Sequence, residues 1–276
     1  MRWADMDLLG HINNVVYVDY LQEARVDMLR THGPEAATGE LPGGTVVVRH
    51  EVTYVSPLRF GFRPVSIESW VTQVRAASFT VAYEVFHEDA DGVRDVYLRA
   101  KTVLTPYVFT TEQPRRLTEA ERTTLALFLE PEAVAPRSPF PATHPDTALH
   151  YPVHVRFSDV DVYKHVNNVK YFEYFQEARI SGIATMWDGL DQTPLVVAQT
   201  DVDYRVPILF RPEPYDAWTW VSRVGQRSAT IDSVICDGDT TLSRARVTIV
   251  FFDQATQRST VPSDLYLDRL REHELS

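Results

Sequence analysis

Residues 2–25 read R-W-A-D-M-D-L-L-G-H-I-N-N-V-V-Y-V-D-Y-L-Q-E-A-R, and residues 156–179 read R-F-S-D-V-D-V-Y-K-H-V-N-N-V-K-Y-F-E-Y-F-Q-E-A-R. The two stretches align without a gap at an offset of 154 residues, and 13 of their 24 positions are identical. An offset of about half the chain means two copies of one domain rather than a solenoid, whose period runs roughly 20 to 50 residues. The identities include Asp5/Asp159, Asp7/Asp161, His11/His165, Asn13/Asn167, Asn14/Asn168, Tyr17/Tyr171 and Glu23/Glu177. Packing alone keeps apolar residues at regular spacing and lets polar ones drift. Two copies that agree on polar positions point instead to a shared site or a demanding turn.

Past the His-x-Asn-Asn turn the pattern takes on a helical period. Tyr17, Tyr20, Leu21, Ala24 and Met28 recur at three- and four-residue spacing, so residues 15–29 are expected as a helix; Tyr171, Tyr174, Phe175 and Ala178 repeat the stripe. Asn14 and Asn168 stand where an N-cap is expected. Gly33 and Pro34 stop the first helix, and the segment to Gly44 is turn-rich. Alternating, β-branched runs predict strands over 45–55, 65–75, 78–87 and 94–104, and again over 195–206, 215–224, 228–236 and 243–252. Asp91-Gly92 and Asp237-Gly238 mark hairpin turns. Trp70/Trp220, Val74/Val224 and Ser78/Ser228 match at an offset of 150, so four residues are lost between motif and sheet, as suits a loop.

Thr118 with Glu121 signals a capping box for a short helix ending near Leu129, and Ser263 opens a comparable one. A strand-like run over 151–157 leads into the second motif. The expected domains are 1–130 and 151–276, joined over 131–150 by a stiff linker carrying Pro131, Pro136, Pro139, Pro141 and Pro145. Each unit is then α+β: one long helix with an antiparallel meander, read as a curved sheet wrapped around that helix.

The chain's 276 residues suffice for two cores of ordinary size. No apolar run approaches the ~18 residues of a membrane helix, and no signal-peptide pattern opens the chain, so a cytoplasmic protein without a membrane partner is expected. The net charge of −11 argues against a nucleic-acid partner, because phosphate backbones reward a basic surface. The single cysteine, Cys236, excludes an internal disulfide and a cysteine-based zinc cluster, and its strand-like setting reads as a small buried hydrophobe. No metal or cofactor is expected. An anionic substrate calls for local arginines, for which Arg49, Arg59, Arg63, Arg205 and Arg211 are candidates.

The motif D-x-D-x-x-x-H-x-N-N-x-x-Y with the following Y-x-x-E-A-R resembles that of hotdog-fold thioesterases of the 4-hydroxybenzoyl-CoA thioesterase superfamily. The second copy is also similar to the corresponding segment of acyl-ACP thioesterases. The resemblance implies two tandem hotdog domains forming an internal pseudo-dimer, with a further homodimer open, and acyl-CoA or acyl-ACP as substrate. It also implies that the second acidic residue, Asp7 and Asp161, is the catalytic carboxylate. Acyl-ACP enzymes add an Asn two residues later and a His four residues later. His11 and His165 match the His, but Leu9 and Tyr163 replace the Asn, and Pro57 and Pro207 fall where a further carboxylate stands. The single-Asp scheme of the acyl-CoA enzymes fits this sequence better.

The residues themselves suit that chemistry. A carboxylate near a helix start serves as general base or nucleophile toward a thioester, and the free N–H groups of the first turn hold the developing oxyanion. In this reading His11 and His165 assist the catalytic Asp, while Asn13, Asn14, Asn167, Asn168, Tyr17 and Tyr171 contact substrate. Asp5 and Asp159 are expected to satisfy loop amides. Glu23 with Arg25, and Glu177 with Arg179, are expected on the polar side of the helix in salt bridges to neighbouring elements. Two other classes stay open: a non-catalytic acyl-CoA or acyl-ACP binding module, and a hotdog dehydratase, whose His–Asp motif is not seen here.

Overall fold

The computed structural model describes residues 1–33, 44–133, 139–141, 144–191 and 193–275. The chain divides into two compact units, Met1–Arg137 and Ser138–Ser276. In the first, helix α1 (Val16–His32) precedes strands β1 (Thr45–Tyr54), β2 (Ser66–Val74), β3 (Phe79–Glu88) and β4 (Arg94–Val108), a two-residue strand β5 (Gln113–Pro114) and helix α2 (Glu119–Ala126). The second repeats the plan with β6 (Leu149–Val153), α3 (Lys170–Met186), β7 (Leu195–Tyr204), β8 (Tyr215–Val224), β9 (Ser228–Asp237), β10 (Thr240–Asp253), β11 (Arg258–Ser259) and α4 (Asp264–Glu272).

Within the first unit the strands run antiparallel in the order β2-β3-β4-β1, and within the second β7-β10-β9-β8-β6. The duplication extends to irregularities: the β2/β3 register slips between Val71 and Gln73, and the β8/β9 register between Val221 and Arg223, both at the 150 offset. The central helix lays its apolar stripe on the sheet, burying Tyr17, Val18 and Leu21 in one unit and Tyr171, Phe172, Phe175 and Ala178 in the other. In the second unit Met186, Trp187, Val221, Ile231, Val247 and Phe251 form a core closed at one end by Leu267 and Leu270 of α4. Helix α2 carries the expected capping box, Thr118 Oγ1 accepting from Glu121 N at 3.2 Å and Glu121 accepting from Thr118 N at 2.7 Å. Ser263 precedes α4 but makes no side-chain cap.

Several expectations are corrected. Strand β6 spans Leu149–Val153 rather than 151–157, because the chain turns into a short 3-10 segment, Phe157–Asp159, held by Asp159. The strand therefore starts within the stretch read as linker. Gly33 ends α1 with its N–H on the Leu29 carbonyl at 2.7 Å, where a Cβ would collide with that same carbonyl. Pro34 and the turn-rich segment beyond it lie outside the described residues up to Gly44, as do Pro136 and other parts of the linker. Arg25 and Arg179 do not lie on the polar side: both are buried, while Glu23 and Glu177 are exposed. Two positions apart on a helix point some 200° away from each other, so one turn cannot present both to a common partner.

Candidate active site

The motif folds into a closed loop, and its two aspartates are held in different ways. Asp159 is buried, its Oδ2 accepting from Tyr174 Oη at 2.7 Å and Arg156 N at 2.9 Å, and its Oδ1 from Arg156 Nε at 3.1 Å. Asp5 is held in the same way by Arg2 N at 2.5 Å, Arg2 Nε at 2.9 Å and Tyr20 Oη. Burial pushes both carboxyls up, but the tyrosine and arginine hydrogen bonds outweigh it and leave each below the ordinary carboxylate value. The backbone carbonyls of these residues accept Asn13 N and Asn167 N, each at 2.8 Å, which folds the end of the motif back onto its beginning.

Asp7 and Asp161 sit inside the resulting turn. Asp7 Oδ1 accepts from Leu9 N at 2.9 Å and His11 N at 3.4 Å, and Asp161 Oδ1 from Tyr163 N at 2.8 Å and His165 N at 3.3 Å. Backbone bonds close the loop, Asp7 N to His11 O at 2.9 Å and Asp161 N to His165 O at 2.8 Å. One oxygen of each half-buried carboxylate is thus fixed by the chain, while Oδ2 takes no hydrogen bond from the described residues. The turn needs a left-handed residue one position before the histidine. Gly10 supplies it with φ 75°, and in the second copy Lys164 is forced to φ 68°.

Neither asparagine of each pair stands at the cap position, which falls to Val15 and Val169 with no side-chain cap. Asn13 Oδ1 accepts from Val15 N at 3.2 Å and Asn167 Oδ1 from Val169 N at 3.3 Å, because the backbone is already helical at Val15 and Val169. Asn14 and Asn168 lie in the turn one residue before those cap positions, ahead of the first intrahelical hydrogen bonds. Their carbonyls are held by the hydroxyls of Tyr54 and Tyr204, each at 2.8 Å. Neither the Asn14 N–H nor its side chain is bonded within the described residues, so the positive end of α1 opens beside the Asp7 loop.

A family model described as the thioesterase-like superfamily matches residues 1–136 and 155–268, which takes in both motifs. The chain belongs to this superfamily. Among its curated relatives is the long-chain acyl-CoA thioesterase FadM of Escherichia coli (strain K12), 30% identical over 117 residues that make up 39% of this chain and 85% of FadM. Solved structures of similar fold include the 12:0-ACP thioesterase of Umbellularia californica, with TM-score 0.70 and 16% identity over 90% of this chain and 93% of that one. The acyl-ACP thioesterase of Bacteroides thetaiotaomicron VPI-5482 gives TM-score 0.65 and 15% identity over 90% and 94%. At such identities the likeness is one of fold, and that fold is two hotdog units in tandem.

The other residues read from the sequence divide by position. In this thioesterase-like chain Tyr17 and Tyr171 are buried, and their hydroxyls accept Leu58 N at 3.2 Å and Ile208 N at 2.9 Å. Leu58 O and Ile208 O in turn accept Ile12 N at 2.8 Å and Val166 N at 2.9 Å, tying helix, loop and motif together just after Pro57 and Pro207. His11 is buried; burial lowers its pKa, Asp7 works against that and Arg59 adds to it. His165 is half-buried and bridges to Leu209, the residue that replaces Arg59 in the second copy. Of the candidate arginines, Arg49 pairs with Glu51 at 2.7 Å and Arg211 with Asp237 at 2.9 Å. Cys236 is buried and its thiol pushed up by burial, which keeps it a packing residue. Among the described residues no three His, Cys, Asp or Glu side chains group to hold a metal, and no helix is long and apolar enough to cross a membrane.

Sequence reasoning missed Tyr20/Tyr174 and Tyr54/Tyr204, which hold the buried aspartate and the helix start. Both pairs recur at the offsets of their surroundings, 154 and 150, so comparison of the two copies contains the signal.

Proposed function

We propose that this chain hydrolyses long-chain acyl-CoA thioesters, with Asp7 and Asp161 each activating a water molecule on its carboxylate Oδ2. The observation that carries the reading is the division of labour within each motif. Asp5 and Asp159 are each engaged by three donor groups, while Asp7 and Asp161 keep one oxygen unbonded by the described residues, on a loop pinned beside a helix N-terminus. The carboxylate takes a proton from water as the oxygen attacks the thioester carbon. The N–H of Asn14, and its counterpart at Asn168, receives the carbonyl oxygen as it gains charge, and the thiol of CoA then leaves with the proton. His11 and His165 flank the attacking water, and the Asn14 side chain, unbonded in the described residues, is placed to orient the acyl carbonyl.

Long acyl chains and a CoA carrier are chosen because FadM, whose name specifies long-chain acyl-CoA, matches over most of its length. Free-thiol release from a series of acyl-CoAs running from acetyl to palmitoyl, with aromatic members added, tests the assignment. Turnover is expected to rise toward the long chains. No turnover anywhere in the series, with acyl-CoA binding still measurable, would make the chain a binding module.

A further inference from the structure

The segment that follows the Pro57 turn reads Arg59-Phe60-Gly61-Phe62-Arg63. In a chain of net charge −11, residues 55–65 contain two arginines and no acid. Phe62 is 98% exposed, and beside it Phe60 makes edge contacts with Phe62 at 5.8 Å and with Trp3 at 5.6 Å. Trp3 is itself 75% exposed, and Leu8, at the tip of the Asp7 loop, is fully exposed. Both arginines are exposed, and among the described residues neither lies within ion-pair distance of a carboxylate; Arg63 meets only the Glu88 backbone carbonyl.

We propose that this loop, with Leu8 and Trp3, docks the first unit onto an anionic lipid surface. Exposed aromatic and aliphatic tips flanked by arginine combine the two components of interfacial binding: apolar groups that enter the headgroup and acyl boundary, and cations that meet anionic headgroups. A fluid lipid layer accepts isolated protruding side chains without a matching pocket. A second copy of the chain fits poorly, because a two-fold contact through this loop sets Arg59 and Arg63 against their own copies.

The second unit supplies an internal control. Its corresponding loop reads Leu209-Phe210-Arg211-Pro212-Glu213, and there Arg211 is held by Asp237 at 2.9 Å and stacked on Tyr215 at 3.7 Å. The apolar tips persist, with Phe157 84% exposed against Phe210, but the loop cation is neutralised. The expectation of no membrane partner came from spanning runs and signal-peptide patterns, and neither registers a five-residue loop. The docking does not depend on the hydrolytic reading.

The test is co-sedimentation of the full chain with phosphatidylcholine vesicles, with and without phosphatidylglycerol, at low and high salt. Binding is expected only to the anionic vesicles, weakened by salt, and reduced at least about tenfold by Phe62→Asp combined with Leu8→Asp. Arg59→Gln with Arg63→Gln is expected to abolish the salt dependence, and Phe210→Asp in the second unit to change nothing. Circular dichroism establishes that the variants are folded. Absence of the wild-type chain from the anionic pellet overturns the proposal, as does binding that Phe62→Asp with Leu8→Asp leaves intact. Self-association in analytical ultracentrifugation that Phe62→Asp abolishes, without vesicle binding, assigns the loop to a second copy. Retention by an acidic carrier protein instead of vesicles assigns it to a protein partner.

Discussion

Asparagine at position 159 is expected to cost stability and spare the chemistry, the reverse of the same change at position 161. The Asp159 carboxylate is buried and receives Tyr174 Oη, Arg156 N and Arg156 Nε. An asparagine placed with its oxygen at the Oδ2 position keeps the first two bonds but loses their charge assistance, about 1 kcal/mol each. It also turns its NH2 toward the guanidinium; because Arg156 is largely exposed, losing that pair adds at most about 1 kcal/mol. The sum is about 2 to 3 kcal/mol, which lowers the melting temperature of a unit this size by roughly 6 to 9 °C. Thermal unfolding followed by circular dichroism measures this for Asp159→Asn. Thioester hydrolysis well below the transition, in an Asp7→Asn background so that only the second site turns over, is expected to stay within about twofold of its parent. An unchanged melting temperature with hydrolysis abolished would refute the reasoning and make Asp159 the reacting carboxylate.

Lys164→Gly is expected to raise stability by about 0.5 to 1 kcal/mol in urea unfolding, since it removes a side chain from φ 68°, while Gly10→Ala at φ 75° lowers it by about 1 kcal/mol; a destabilised Lys164→Gly would contradict the loop geometry. Burial holds the His11 pKa below its ordinary 6.5, so the unfolded chain binds more protons as pH falls past that value. Above 6.5 the group carries no penalty, and below it stability is lost until the folded-state pKa is reached; His11→Gln should flatten that part of the stability-against-pH curve relative to the parent chain. The two sites differ at Gly10/Lys164 and Arg59/Leu209, so Asp7→Asn and Asp161→Asn are expected to change the acyl-chain-length profile differently. Identical profiles from the two single variants would show that these differences do not reach the substrate.

The duplicated motif made the fold legible, because a helical stripe and four alternating runs recurred at nearly constant offsets. The strands were found to within a few residues, and Gly33 marked the end of α1. What failed was local hydrogen bonding, which a sequence pattern does not carry. An Asn-Asn pair offers two candidate caps, and neither is used: the cap position falls to Val15, whose N–H Asn13 Oδ1 accepts from outside the helix. The run over 151–157 looked like one strand because nothing in its composition announces that Asp159 will draw residues 157–159 into a 3-10 turn. A linear reading puts Glu23 and Arg25 both on the polar side of the helix, whereas helical geometry buries Arg25 and exposes Glu23. Of the candidate site, Asp7 and Asp161 come from the resemblance, and their role is the one proposed above. That Asp5 and Asp159 are the structural members of the set became physical only with Tyr20 and Tyr174 in place.

The central claim is that Asp7 and Asp161 activate water, and the most direct measurement is thiol release from palmitoyl-CoA by the Asp7→Asn, Asp161→Asn double variant. Asparagine retains an oxygen for the Leu9 and His11 amides and for those of Tyr163 and His165, so the loops and the melting temperature are expected to be preserved. With the base gone at both sites, turnover should fall by about 10²- to 10⁴-fold. Turnover equal to that of the unaltered chain would contradict the account and place the chemistry on other residues.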